Sequence, residues 1–274
     1  MRRLALLVPI TLLLASCGGH GRTAEEVVTR APQATVDAAT ARLRMVLAFD
    51  ADGSRLDVDG AVDFTHDRYA MAVALHDAAG AVRGAAAEAR RDGRNLYLQL
   101  PAAGVLLPGV SAQDWMRLDL RAAGTGSSAA LGQSLGLDSN DPRELLTLLE
   151  ATSPDGVRDE GPADVDGVPT TRYVATVDVD RVLAGERFGL DRDALRRFVA
   201  DIAAEHVTVT AWIDHQGRVR QLQVPLPQRP ASGGGTLRLT LALRDFGRAV
   251  DVAPPTDHVV DVSDRLAELF GHGG

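Results

Sequence analysis

The chain contains no lysine, and all 29 of its basic side chains are arginines. That removes a Schiff-base lysine, a lysine general base and the lysine of a phosphate-binding P-loop. It has a single cysteine, Cys17, so no disulfide forms within the chain and a thiolate-rich metal site is excluded. Aromatic residues make up 4% of the sequence, so the core has to be aliphatic. The longest apolar run, residues 4–15, is interrupted by Pro9 and Thr11. It falls short of the roughly 20 residues that a helix needs to cross a bilayer. Positive charge is in deficit, with a formal net charge of −8. This acidity argues against nucleic acid as a partner and against an electrostatic hold on anionic lipid. Hydrophobic content of 45% with 24% charged residues is that of a packed protein.

The N-terminus carries an export pattern. Arg2 and Arg3 precede the apolar run, and Leu14-Ala15-Ser16-Cys17 closes it with small residues. The flexible Gly18-Gly19-His20-Gly21 follows. This resembles the bacterial lipobox, in which the cysteine is diacylglycerated and becomes the new N-terminus. The reading is a lipoprotein signal peptide over residues 1–16, with residues 17–32 as lipidated N-terminus and tether and residues 33–270 as one domain. Cys17 is the lipidation site, and the location is the outer side of the cell membrane, facing the periplasmic space. The alternative is an ordinary signal with a chance cysteine.

Residues 23–41 read as one or two short helices interrupted near Pro32. The period then becomes two. Leu43, Met45, Leu47 and Phe49 alternate with polar or small residues, as do Val58, Val62 and Phe64, and then Tyr69, Met71, Val73 and Leu75. Asp50-Ala51-Asp52-Gly53 and Asp92-Gly93 mark turns, and further strands are expected at 96–100 and 115–120. Residues 121–141 are Gly-, Ala- and Ser-rich and read as a loop. Pro142 opens a helix whose apolar face is Leu145, Leu146, Leu148 and Leu149. A strand pair around Asp166-Gly167 follows, then a helix over 191–205 with Leu195, Phe198, Val199 and Ile202 on one face. Alternating strands at 207–213, 219–224 and 237–243 and a short helix over 263–270 complete the chain. Repeated hairpins with a few inserted helices predict an α+β fold with helices on one face of an antiparallel sheet.

Chemical constellations are weak. Gly132-Gln133-Ser134-Leu135-Gly136 matches G-x-S-x-G, but neither a strand before it nor a long helix after it is predicted, as a nucleophile elbow requires. Gly124, Gly126 and Ala129 echo a dinucleotide fingerprint without a βαβ unit. Asp50, Asp52 and Ser54 start a calcium-loop pattern that fails at Arg55 and Ala61. The seven histidines are scattered, with no ligand spacing. Trp115 and Trp212 read either as aromatics flanking a ligand opening or as packed strand residues. The expectation is no enzyme, no cofactor and no metal.

Several stretches resemble the actinobacterial LppX/LprG-like lipoprotein family. Tyr97-Leu98-Gln99-Leu100-Pro101 and Asp114-Trp115-Met116-Arg117-Leu118 are similar to its hairpin and Trp-containing strand. Asp166-Gly167-Val168-Pro169-Thr170-Thr171-Arg172-Tyr173 resembles its DGVxTxxY segment. Trp212-Ile213-Asp214-His215-Gln216-Gly217-Arg218-Val219 resembles its WxDxxGRV hairpin, and Asp245-Phe246-Gly247 and Val252-Ala253-Pro254-Pro255 resemble its closing strands. The resemblance implies a LolA-like half-barrel, a strongly curved antiparallel β-sheet with helices covering the concave face around an apolar cavity. It implies a non-enzymatic envelope lipoprotein that binds a lipid or glycolipid and assists its transport, with an envelope transporter as a further partner. The lining residues expected from the apolar pattern are Leu47, Phe49, Phe64, Met71, Val73, Leu145, Leu149, Phe198 and Ile202. The rival reading is a lipid-anchored interaction or regulatory module without a ligand cavity.

Overall fold

The computed structural model describes residues 22–78, 87–101, 103–119, 142–184, 203–230 and 234–265. The first five strands are β1 (Thr40–Phe49), β2 (Arg55–Asp63), β3 (Arg68–His76), β4 (Ala87–Asp92) and β5 (Asn95–Gln99). They are followed by β6 (Trp115–Asp119), β7 (Thr152–Val165), β8 (Val168–Asp178) and β9 (His206–Asp214). The last three are β10 (Val219–Pro227), β11 (Thr236–Arg244) and β12 (Val259–Asp261). All twelve join one sheet in the order β12-β6-β5-β4-β3-β2-β1-β11-β10-β9-β8-β7. Every neighbouring pair is antiparallel except β6 and β12, which run parallel. The predicted antiparallel sheet is therefore largely correct, and β12 is the departure.

The predicted α+β balance is corrected to mostly β. Among the described residues the helices are few and short, the longest being α1 (Ala24–Val36) with 13 residues. Two-residue alternation explains the strands. In register, Leu43 faces Leu243 and Gly60, and Met45 faces Leu241 and Val58. Met71 lies beside Gly60 and Val73 beside Val58. One face of the sheet is thus continuously aliphatic. The other carries Arg44, Asp59, Ala72 and Glu88 in one cross-strand row.

The helix α1 starts at a capping box. The Thr23 hydroxyl accepts from the Glu26 amide, and the Glu26 carboxylate accepts from the Thr23 amide. It runs through Pro32 without interruption, contrary to the expected break, and buries Val28 and Ala31. Residues 24–32, expected to belong to the tether, are thus folded into the domain. Thr35, itself buried, ties the helix to the sheet. Its hydroxyl donates to the Ala31 carbonyl and accepts from the Val219 amide at 2.9 Å. Thr35→Val leaves the buried Val219 N–H without an acceptor and should cost about 1–3 kcal/mol in denaturant unfolding. The helix Pro142–Thr147 and the 3₁₀ turn Leu148–Ala151 bury Leu146 and Leu149 against the same core.

After β11 the chain crosses to the far edge of the sheet. Gly247 donates to the Thr40 carbonyl, Arg90 to the Ala253 carbonyl at 2.7 Å, and Trp115 to the His258 carbonyl at 2.7 Å. β12 then pairs with β6, where the Asp261 carboxylate accepts from Arg117 and from Ser263. The Arg117 and Ser263 hydrogen bonds hold this carboxyl down to about 2. Because the folded value lies below the ordinary 3.8, the contribution is complete above that value and is lost as pH falls toward 2. Amide exchange of β12 should rise over that window while the central strands stay protected.

Candidate functional site

The sheet has two unlike rims. Register places Phe49, Arg55, His76, Gln99, Trp115 and Leu237 at one end of their strands, here the upper rim. Thr40, Asp63, Asp92, Asn95, Asp119 and Arg244 lie toward the lower rim. On β1–β3 burial falls toward the upper rim, whereas Leu226 and Leu237, at the same end of β10 and β11, stay buried. On β3, Met71 is 4% and Val73 8% exposed, and Leu75, two residues on, is 43% exposed. On β1, Leu43 and Met45 are buried, Leu47 is half-buried and Phe49 reaches 36%. Leu56, paired with both Leu47 and Leu75, is half-buried too. These four side chains form a patch of apolar face that the described residues leave partly uncovered. Beside the same rim, where Ala203 donates to the Pro227 carbonyl at the end of β10, lies a cleft of about 380 Å³. Its described lining is Ala203, Ala204, Glu205 and Arg229.

The expected lining residues separate accordingly. Leu47, Phe49, Met71 and Val73 share the apolar face of β1 and β3. Phe64 and Leu149 are buried in the core, and Leu145 packs against it half-buried. Cys17, Phe198 and Ile202 lie outside the described residues. The expected set omitted Leu56 and Leu75. The two-residue period from Val58 and Val73 was the signal that places them on this face.

Gly60 sits in the middle of the apolar face because nothing larger fits. A Cβ there would lie 2.3 Å from the Ala70 carbonyl oxygen and 3.0 Å from Met71 Cα and Cγ. Strand glycine marks such close backbone approach. Gly60→Ala should destabilise the fold by about 1–3 kcal/mol through overpacking, measured as a lowered denaturation midpoint.

The segments that carry the family resemblance are turn and corner builders. Asp214, in the β9–β10 turn, has no exposed side-chain surface. Its carboxylate accepts from the Gln216 and Arg218 amides and from the guanidinium groups of Arg218 and Arg220 at 2.8–3.0 Å. Both guanidinium groups lie over the Phe246 ring, 4.7 and 4.8 Å from its centroid. Burial pushes the Asp214 carboxyl up, and the Arg218 and Arg220 hydrogen bonds outweigh it, so the net shift is downward. At the β7–β8 turn, Asp166 and Gly167 both have positive φ, and Asp164 accepts from the Gly167 amide. Tyr173 is buried on the apolar face of β8.

Trp115 and Trp212 lie on the face opposite the aliphatic one, and the Arg90 guanidinium covers Trp115 at 5.6 Å. Asp50 pairs with Arg238, and Asp52 caps its own turn by accepting from the Ser54 amide and hydroxyl. Their carboxylates are committed to structure. Ser134, Gly124, Gly126 and Ala129 lie outside the described residues. The described residues contain no group of three His, Cys, Asp or Glu placed to hold a metal ion.

No protein-family model matches the chain. It is 27% identical over 218 residues to an uncharacterized 31.2 kDa protein encoded in the rplA-rplJ intergenic region of Streptomyces griseus, a match spanning 77% of this chain and 67% of that one. In structure it is similar to the lipoprotein LppX of Mycobacterium tuberculosis, with 14% identity over 82% of this chain and 98% of that one and a TM-score of 0.47. It is also similar to LprF of Mycobacterium bovis, with 12% identity over 85% of this chain and 97% of that one and a TM-score of 0.50. At these identities the likeness is one of architecture: the chain shares the fold of LprF.

Proposed function

We propose that the protein is an envelope-anchored lipid carrier. It takes the acyl chains of a lipid or glycolipid against the aliphatic face of the sheet, entering beside Leu47, Leu56 and Leu75, and assists passage across the cell envelope. Cys17 carries the anchoring lipid on the outer side of the membrane. The sheet curls around the ligand, and the helical segments form the other wall. The observation that carries this reading is the graded uncovering of the apolar face on β1–β3 toward one rim, where Leu47, Phe49, Leu56 and Leu75 lie beside buried Leu237. A sheet face of this kind needs an apolar cover, and an acyl chain supplies one without any polar hot spot. Each buried CH₂ contributes about 0.8 kcal/mol, so some fifteen give about 12 kcal/mol gross. Ordering and association costs reduce this to a reversible affinity, which a carrier needs in order to release its load.

Titration of the purified chain with a fluorescent long-chain acyl probe tests the reading. The expected result is saturable binding, displaced by unlabelled long-chain lipid and not by short-chain analogues. A response that rises linearly without saturation would count against it.

A further inference from the structure

The four exposed large apolar side chains among the described residues are Phe49, Leu75, Val105 and Val259. Three of them stand at the upper rim, and the fourth, Val105, lies in the connection that joins two strand ends of that rim. Phe49 ends β1 opposite Leu237, and Leu75 lies one residue from the end of β3. Val259 opens β12 opposite Trp115. Val105 lies in the short helix Ala103–Leu106, within the connection from Gln99 to Trp115, two residues that both belong to this rim. Its neighbours Ala103, Leu107 and Val110 are buried, whereas Val105 itself is 86% exposed and Val259 37%.

Both rims carry ion pairs, at the upper rim Arg55 and His76 with Asp57 and Arg238 with Asp50, but the large exposed apolar side chains are absent from the described lower rim. At the lower rim Arg68 pairs with Asp92, Arg91 and Arg143 with Asp67, Arg94 with Asp119, and Arg218 and Arg220 with Asp214. The rims therefore differ in exposed apolar side chains and not in ion pairing.

We propose that the upper rim is a membrane-docking surface, which seats the protein on the bilayer with Val105 and Val259 at the headgroup–acyl boundary and the uncovered patch of Phe49 and Leu75 facing the lipid. This rests on the carrier reading, to which it adds where the cargo enters. The spread of the four side chains favours a bilayer over a protein partner. From β12 to β1 is six strand spacings of about 4.8 Å, so the tips extend over up to about 29 Å of rim. A protein interface concentrates its apolar anchors in one packed centre. A bilayer accepts separated shallow tips lying along one edge. On the same rim the carboxylates of Asp50, Asp52, Asp57 and Asp114 offset the guanidinium groups of Arg55 and Arg238, with which Asp57 and Asp50 pair, so attraction to anionic headgroups is not the driving term and docking is apolar and tolerant of salt.

The test uses the full chain with Cys17→Ser, which leaves one labelling site, carrying an environment-sensitive fluorophore at Val105→Cys, Val259→Cys or His215→Cys. His215 is exposed in the β9–β10 turn of the lower rim. Phosphatidylcholine vesicles with and without spin-labelled lipid are added at low and high salt. Emission at positions 105 and 259 should rise several-fold, be quenched by the spin label and persist in salt, with position 215 unchanged. Equal responses at all three positions, as nonspecific adsorption or capture by the N-terminal apolar run would give, would overturn the proposal. So would no response, or a concentration-dependent change at 105 and 259 without vesicles, which identifies a protein–protein face. Native mass spectrometry of the same preparations separates the two readings. Bound lipid without quenching removes docking alone, and quenching without bound lipid removes the carrier function alone.

Discussion

Asp214→Ala should be the most damaging single substitution among the described residues, lowering unfolding free energy by about 3–5 kcal/mol. The carboxylate has no exposed side-chain surface, and the side chains of Arg218 and Arg220 are 17% and 13% exposed. Truncation leaves two nearly buried guanidinium groups facing each other with no anion between them. It also strips the Gln216 and Arg218 amides of their acceptor, so the β9–β10 turn loses its template. Asp214→Asn keeps the shape but not the charge and should recover only part of the loss. The wild-type pair has an acid signature. The Asp214 carboxyl is held below its ordinary 3.8, so its contribution is complete above that pH and disappears as pH falls through the lowered folded value. Urea unfolding at successive pH values should show a steep loss in the wild type over that range and a flatter profile in Asp214→Asn.

The second large effect concerns ligand. A lipid that binds the native state alone stabilises it by mass action, about 2.7 kcal/mol at a free concentration near 100 times Kd. For a domain of this size that is a rise in melting temperature of about 5–10 °C. Leu75→Asp should remove most of it. Leu75 is already 43% exposed, so the substitution costs the apo protein little. In the complex it removes about 1.5–3 kcal/mol of apolar contact, which lowers affinity by about 10- to 100-fold. Leu75→Met preserves the apolar volume and should leave binding within a few-fold. Thermal scans of both variants with and without lipid separate this result from simple destabilisation, because the apo melting temperatures should nearly coincide.

The strands were legible because alternation in segments such as Leu43-Arg44-Met45 and Tyr69-Ala70-Met71 leaves only one way to bury the aliphatic side. The same alternation placed Leu47, Phe49, Met71 and Val73 on one face. It does not report depth. Phe64 and Leu149 look like Phe49 in sequence, yet the former are core and the latter is at the rim, since depth depends on which chain segment covers each strand end. β12 escaped detection because three residues give too short a period, and its parallel partner β6 lies more than 140 positions away in the sequence. The continuity of α1 through Pro32 was hidden for another reason. Proline forfeits one helical hydrogen bond, and the loss is offset by the burial of Val28, Ala31 and Thr35. The WxDxxGRV segment was recognisable as a pattern, but its role as a buried Asp–Arg–Arg–Phe corner required Phe246, a residue from another part of the chain.

Native mass spectrometry of the gently purified chain, before and after incubation with a mixed extract of long-chain lipids, tests the central claim most directly. The account predicts discrete adducts of lipid mass at one per protein, diminished in Leu75→Asp and retained in Leu75→Met. A spectrum that shows bare protein throughout, from a sample whose melting temperature lipid does not move, would contradict it.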